Sequence, residues 1–235
     1  MRYASNGDIK PIRASLRGAG AVYVRNVRDE PALTRLASSL GRIIEPGAGM
    51  PTGAHTGTVY SVEVHNQGRG LVDRDGHVIR SSTHLRFPLH TDGYNLADPP
   101  RLVFLLCARE GSTRALSYIS DAWGVIESLS PDVVSRLAEP SFPSRRGPVS
   151  ILSRTARGSF RVRFNEEEME RAGGPLWSEA RRATAREFGR ALRASRGELT
   201  IRSGDCLVLD NYRVCHGRAP LPAESVRVLK RVWVR

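Results

Sequence analysis

Two spacings of apolar residues divide this chain. Thr58–Val64 alternates apolar and polar positions, as do Leu85, Phe87 and Leu89, and period two predicts strands with one buried face. Leu102–Cys107 and Cys206–Leu209 are unbroken apolar runs, each short enough to predict a buried strand. Ser225–Val234 is rich in β-branched residues and predicts a last strand. Helical spacing governs other stretches. Leu33, Leu36, Ala37, Leu40 and Ile43 predict an amphipathic helix over Pro31–Ile43. Trp123–Leu129 and Val133–Leu137 read as short helices split at Ser130-Pro131, with Ser130 as the second cap. The clearest helix runs from its cap Ser178 to Ser195. Its apolar face is Ala180, Ala183, Phe188, Ala191 and Leu192, and Gly197 stops it.

Gly- and Pro-rich residues 44–57 read as a loop, Asn66–Gly76 as a hairpin or a mobile loop, and residues 140–160 as loop-rich. No repeat or linker interrupts the pattern, so residues 1–235 are expected to form one domain, a size that suits a β-sandwich or barrel with insertions. Strands with helices lying outside the sheet pattern fit an α+β jelly roll.

Candidate chemistry lies where polar residues interrupt these strands. His90-Thr91-Asp92 follows the alternating segment, and in extended backbone residues two apart point the same way. Gly93 lets the chain turn directly afterwards. Downstream, Gly204-Asp205 reads as a turn, Asp210-Asn211 ends the apolar run, and Tyr212–His216 resumes extended character before Gly217. One distant His added to His90 and Asp92 makes a 2-His-1-carboxylate set, which holds Fe(II) on one face and leaves three positions for a cosubstrate and O2. Arg227 comes eleven positions after His216, and Arg231 four later on the same predicted strand face. An Arg aimed inward beside a metal suits a carboxylate held by a bidentate fork. A lone His on an apolar strand is more often a core or surface residue, and His55, His65, His77 and His84 are placed there.

Leu89-His90-Thr91-Asp92-Gly93, the stretch from Gly204-Asp205 through Asp210-Asn211-Tyr212-Arg213-Val214-Cys215-His216-Gly217-Arg218, and Arg227-Val228-Leu229-Lys230-Arg231 carry a resemblance. They are similar to the iron(II)/2-oxoglutarate dioxygenases of the taurine dioxygenase, clavaminate synthase and γ-butyrobetaine hydroxylase group. The resemblance runs loosely from about Ala32 to the C-terminus. It implies a double-stranded β-helix (jelly-roll) core with flanking helices. It also implies iron on His90, Asp92 and His216, with Arg227 holding the distal carboxylate of 2-oxoglutarate. Ser117, twenty-five positions after Asp92, falls where the family carries a second hydroxyl ligand for that carboxylate, although Arg114-Ala115-Leu116 stands where the family more often has a Gly pair. The implied reaction consumes 2-oxoglutarate and O2, releases succinate and CO2, and hydroxylates an unactivated C–H of a small metabolite. Related halogenases carry a small residue in place of the carboxylate, so Asp92 points to hydroxylation, desaturation or ring closure. The resemblance leaves Arg231 with two readings, a grip on an acidic group of the substrate or a surface ion pair. Tyr94, Asn95 and Arg163 are candidates for the substrate wall, set against a turn role for Arg163 and Asn165. An amino acid or a carrier-bound intermediate of secondary metabolism fits this reading.

Composition changes the picture in one respect. The net charge of +12 suggests nucleic acid. Yet the lysines are only Lys10 and Lys230, and the densest Arg cluster, Arg181 to Arg196, lacks the interleaved aromatics of a stacking platform. A nucleic-acid-directed oxygenase or binder therefore stands as an alternative, beside a non-catalytic jelly-roll ligand binder. An acidic small substrate or carrier protein would benefit from the same field, and a homo-oligomer is left open. Cys107, Cys206 and Cys215 lie in apolar contexts and read as reduced buried thiols. No apolar run reaches the ~20 residues of a membrane span, and the first residues lack a signal-peptide core. The expected location is cytoplasmic, without a membrane partner.

Overall fold

The structure, a computed structural model, describes residues 1–44, 55–56, 58–63, 72, 76, 78–111, 115–156, 158–174 and 177–235, with backbone alone at 55–56 and 60–63. The chain opens with β1 (Tyr3–Ser5), α1 (Ile9–Ala19), β2 (Ala21–Arg25) and α2 (Glu30–Leu40). It continues with β3 (His55–Thr56), β4 (Val59–Glu63), a 3-10 turn at Arg80–Ser82, β5 (Phe87–His90), β6 (Leu102–Arg109) and β7 (Leu116–Asp121). Then come α3 (Ala122–Ser128), α4 (Pro131–Ala138), β8 (Leu152–Arg154), β9 (Phe160–Val162), α5 (Glu166–Ala172) and α6 (Glu179–Ala194). The last strands are β10 (Gly197–Thr200), β11 (Cys206–Asp210), β12 (Val214–Arg218) and β13 (Val228–Val234).

Seven strands form one sheet in the order β1-β2-β11-β6-β13-β4-β3, and four form another in the order β10-β7-β12-β5. Between these sheets lies an apolar layer. Tyr23, Val103, Leu105, Leu207, Leu209 and Trp233 come from the larger sheet, Val214 from the smaller. On the outer face of the larger sheet, Val22, Phe104, Leu106, Val208, Val232 and Val234 meet Ile12 and Leu16 of α1 and Leu33 and Leu36 of α2. On the outer side of the smaller sheet, Leu89 and Cys215 meet helices α3 to α6 through Ile126, Leu137, Met169 and Phe188. Alternation does the sorting: Val214 and His216 face the larger sheet while Cys215 faces the helices.

Several element expectations shift. The helix predicted over Pro31–Ile43 ends at Leu40: Gly41 is extended, and the Arg42 and Ile44 N–H groups donate to the Arg235 and Trp233 carbonyls, so Ile43 bridges to Val234 in place of continuing the helix. Ser178 caps α6 as expected, accepting from the Arg181 N–H. The buried face of α6 is Thr184, Ala185, Phe188, Gly189 and Leu192, with Ala180 and Ala183 exposed. Gly197 opens β10, two residues beyond the Ser195 turn that ends the helix. The span 140–160 contains most of a short hairpin, β8 with β9. Residues 1–30, which carried no prediction, supply β1, α1 and β2, with β1 and β2 parallel. The loop expected over 44–57 and the hairpin or loop at Asn66–Gly76 lie mostly outside the described residues, as do His65, His77 and the His55 side chain.

Candidate metal centre

His90 is the last residue of β5 and His216 the third of β12, and the two are direct cross-strand partners. Their rings stand 4.4 Å apart between centroids. Gly217 makes the close pairing feasible, since a Cβ there would lie 2.7 Å from the Phe87 carbonyl oxygen. Asp92 is not in the strand but in the turn that follows it, which Gly93 completes with φ +64. Alternation along an extended strand therefore does not by itself bring Asp92 to His90; the turn does. The His90 and His216 Nε2 atoms lie 3.3 and 3.7 Å from Asp92 Oδ1.

Buried hydrogen bonds hold that turn from two sides. Thr91 exchanges bonds with Phe164: its N–H donates to the Phe164 carbonyl at 2.8 Å, and its hydroxyl accepts the Phe164 N–H at 2.9 Å. Asn211, 1 % exposed, accepts the Asp92 N–H at 2.8 Å and donates from Nδ2 to the Asp92 and Pro100 carbonyls, both at 2.9 Å. The His90 Nδ1 lies 2.9 Å from the Pro88 carbonyl, which can only accept, so Nδ1 is the donor there and Nε2 is the ring atom turned to the site. Asp92 Oδ2 accepts from Trp233 Nε1 at 2.7 Å and Arg231 Nη1 at 3.2 Å.

The electrostatics favour a ligating protonation state. Burial would raise the Asp92 pKa, but Arg231 and the two imidazoles override it and hold the carboxylate ionised, well below its ordinary range. Burial, with His90 and Arg231 adding to it against Asp92, lowers the His216 pKa to about 3, so its imidazole is neutral. Two imidazoles and a carboxylate, all buried, with ligand atoms within 4.8 Å of one another, form a hard/borderline donor set that suits Fe(II). Donors about 2.1 Å from one metal and at right angles stand about 3 Å apart, somewhat closer than the two imidazole-to-carboxylate spacings of 3.3 and 3.7 Å. The residues fit the metal.

The structure also brings Ser117 and Arg227 together. Ser117 pairs with Arg218 on β12, two positions along from His216. Arg227 precedes β13, is 2 % exposed, and reaches the Ser117 hydroxyl at 3.4 Å. Its Nε and Nη1 have no hydrogen-bond partner among the described residues. Burial pulls its pKa down, opposed by neighbouring Cys107 and Glu110. A buried guanidinium so poorly paired is costly unless an anion comes to it.

Arg231 is buried and faces Asp92, which removes the surface ion pair from its two readings. Tyr94 is buried among apolar residues, its hydroxyl without a hydrogen-bond partner among the described residues. Asn95 is half-buried. Arg163 donates to the Ala97 carbonyl at 2.8 Å and Asn165 caps α5, so both have turn-holding contacts. His84 is half-buried, and the three cysteines are free and buried. The Arg cluster of α6 and the residues just after it is largely engaged with carboxylates: Arg182 and Arg186 with Glu170, Arg193 with Glu166, Arg196 with Glu198. Trp233 and Asn211 carried no site prediction. Trp233 looks like an apolar strand residue, and Asn211 like half of a turn.

The sequence model of the taurine catabolism dioxygenase TauD, TfdA family matches residues 2–188 and 135–233, and the chain belongs to that family. The match begins about thirty residues earlier than the resemblance expected from Ala32. An L-lysine 3-hydroxylase of Catenulispora acidiphila is 28% identical over 166 residues, 62% of this chain and 44% of that protein. The chain thus aligns with less than half of that relative. Among solved structures, an asparagine oxygenase in complex with Fe(II), 2S,3S-3-hydroxyasparagine and succinate superposes with a TM-score of 0.72 at 20% identity, covering 96% of this chain and 78% of the other. The non-heme iron oxygenase OrfP in complex with Fe and alpha-ketoglutaric acid gives 0.70 at 17% identity, again over 96% and 78%. These likenesses show a shared mixed helix-and-sheet fold. Among the described residues, no helix is long and apolar enough to cross a membrane.

Proposed function

We propose that this protein is an Fe(II)- and 2-oxoglutarate-dependent oxygenase that hydroxylates an unactivated C–H of a small, amino-acid-like metabolite. The observation that carries this reading is the pairing of two features on the facing sides of the two sheets. One is a buried His90/Asp92/His216 donor set. The other is the under-paired guanidinium of Arg227 beside Ser117. His90, Asp92 and His216 would hold the iron, and Arg227 with Ser117 would take the distal carboxylate of 2-oxoglutarate through charge-assisted hydrogen bonds. The bound iron and cosubstrate supply the oxidising chemistry, with succinate and CO2 released. The chain's own work is to orient and to exclude water. Thr91 and Asn211 fix the Asp92 turn, and the apolar layer between the sheets keeps the centre dry.

An L-lysine hydroxylase and an asparagine oxygenase among the relatives support an amino-acid-like substrate. Arg231, already on Asp92, is the buried cation best placed for a substrate carboxylate near the metal. Tyr94, Asn95 and Arg163 are carried forward as candidates for the substrate wall. We read residues 1–235 as one domain whose two facing sheets form a double-stranded β-helix, acting in the cytoplasm on a free small molecule. The test is anaerobic addition of Fe(II) and then 2-oxoglutarate, followed by a panel of amino acids under O2. The expected results are a visible charge-transfer band requiring both additions, and substrate-dependent succinate with a product one oxygen heavier. Absence of the band would refute the reading.

A further inference from the structure

Asp92 offers its two carboxylate oxygens to different partners. Oδ1 faces both imidazole Nε2 atoms, at 3.3 and 3.7 Å. Oδ2 faces away from them and accepts two hydrogen bonds, from Trp233 at 2.7 Å and from Arg231 at 3.2 Å. The two donors also pack on each other, with the Arg231 guanidinium carbon 4.9 Å from the Trp233 ring centroid. Trp233 is 6 % exposed and packs in the apolar layer between the sheets. Its indole has one polar atom, a donor without acceptor capacity, and that atom is aimed at the metal-site carboxylate.

We propose that Trp233 is a positioning residue that holds Asp92 as a one-oxygen ligand. The proposal rests on the metal reading of the site. A carboxylate free to rotate about its Cβ–Cγ bond can turn both oxygens toward a metal and occupy two coordination positions. With Oδ2 fixed by a short bond from a rigid, buried indole, only Oδ1 remains for the metal. One face of the ion then keeps three positions free for a chelating cosubstrate and O2. Arg231 cannot do this alone, because its bond is longer and its side chain more flexible. The indole adds a second donor and a wall on which the guanidinium rests.

The N–H must be removed while the ring is kept. Trp233→Phe is the readily made variant. Site-specific replacement by benzothienylalanine, the sulfur isostere of tryptophan, removes the donor while preserving shape and the seat for Arg231. The probe is Co(II), titrated into metal-free protein in its visible d–d bands and followed by 2-oxoglutarate at saturating metal. Loss of an outer hydrogen bond to a ligand typically lowers metal affinity about 10- to 100-fold. The expected result is a loss of that size in the isostere, a changed d–d spectrum, and weaker 2-oxoglutarate binding at saturating Co(II), with metal-free melting close to wild type. An isostere that binds Co(II) within about twofold of wild type overturns the role of Trp233 and leaves the metal site standing. The same holds where only Trp233→Phe is weakened, since shape is then the cause. Wild-type protein that binds no Co(II) overturns the metal reading and this inference with it.

Discussion

Arg227→Met should move stability and cosubstrate affinity in opposite directions. Methionine keeps an unbranched stem of similar length and removes the charge. The guanidinium is 2 % exposed, reaches the Ser117 hydroxyl at a long 3.4 Å beside the Cys107 thiol, and leaves Nε and Nη1 unbonded among the described residues. Burying an ion carries an effective penalty of several kcal/mol, and replacing buried ionic groups by well-packed apolar ones is often neutral or stabilising by about 1–4 kcal/mol. For a chain of this size about 1 kcal/mol corresponds to roughly 2–4 °C. The metal-free variant should therefore melt at the wild-type temperature or a few degrees above it. With 2-oxoglutarate the balance reverses. Truncating one partner of a buried, hydrogen-bonded charge pair costs about 2–5 kcal/mol, roughly a factor of 30 to several thousand in affinity. Wild-type protein should gain thermal stability as 2-oxoglutarate is added with metal, and the variant should not. Arg227→Lys should recover only part, because an ammonium lacks the planar fork. Thermal unfolding across a cosubstrate series measures both effects at once. A variant that melts several degrees early yet binds 2-oxoglutarate like wild type would make Arg227 a structural cation and refute the reasoning.

Other substitutions test the remaining parts. His90→Ala or His216→Ala should abolish iron-dependent turnover while circular dichroism stays native, whereas Asp92→Ala should still bind metal weakly through two imidazoles and lose hydroxylation; activity in either His variant would remove the proposed centre. Arg231→Ala should raise the concentration of primary substrate needed far more than that of 2-oxoglutarate, measured as separate apparent constants. Asn211→Ala leaves buried groups of Asp92 and Pro100 unpaired, each costing about 1–3 kcal/mol, so urea unfolding should show a loss of a few kcal/mol together with weaker Co(II) binding; a loss in neither would make the Asn211 clamp unimportant.

What could be read in the sequence was polar residues in apolar strands. His216 between Cys215 and Gly217, and Arg227 and Arg231 ahead of Val232, stand out because burying them unpartnered is costly. Trp233 was silent for the opposite reason: an indole in a β-branched strand looks like core, and only its neighbour across the sheets shows what its N–H does. Asn211 was hidden inside a turn signature, since Asp-Asn has a local explanation that needs no distant partner. On α6 the helix and its cap were legible while the face was not. Thr184 and Gly189 are buried against expectation, the glycine tight against Phe164, where an added Cβ would lie 3.3 Å from the ring. The N-terminal unit went unread because α1 buries only Ile12, Ser15 and Leu16, too sparse a stripe to stand out.

β13 shows why the register of one strand matters to so much of the site. Leu229, Arg231 and Trp233 project to the between-sheet side, while Val232 and Val234 pack toward α2. Arg227 lies in phase with the first set. The pairing with β6 is irregular between Val228 and Leu229, which oppose Arg109 and Cys107. The extra residue, Ala108, belongs to β6, so the alternation of β13 runs unbroken from Arg227 to Trp233. A slip of one residue would turn Arg227, Arg231 and Trp233 together toward the helices and put valines against the metal site. The apolar residues opposite resist that slip, because it would carry Val232 and Val234 off the core made with Leu33, Leu36 and Phe104. A fully buried valine contributes about 1.5–3 kcal/mol, so the helix-facing side of the strand sets its register. The proposed carboxylate grip, the ion pair to Asp92 and the indole bond to Asp92 are all placed by that register.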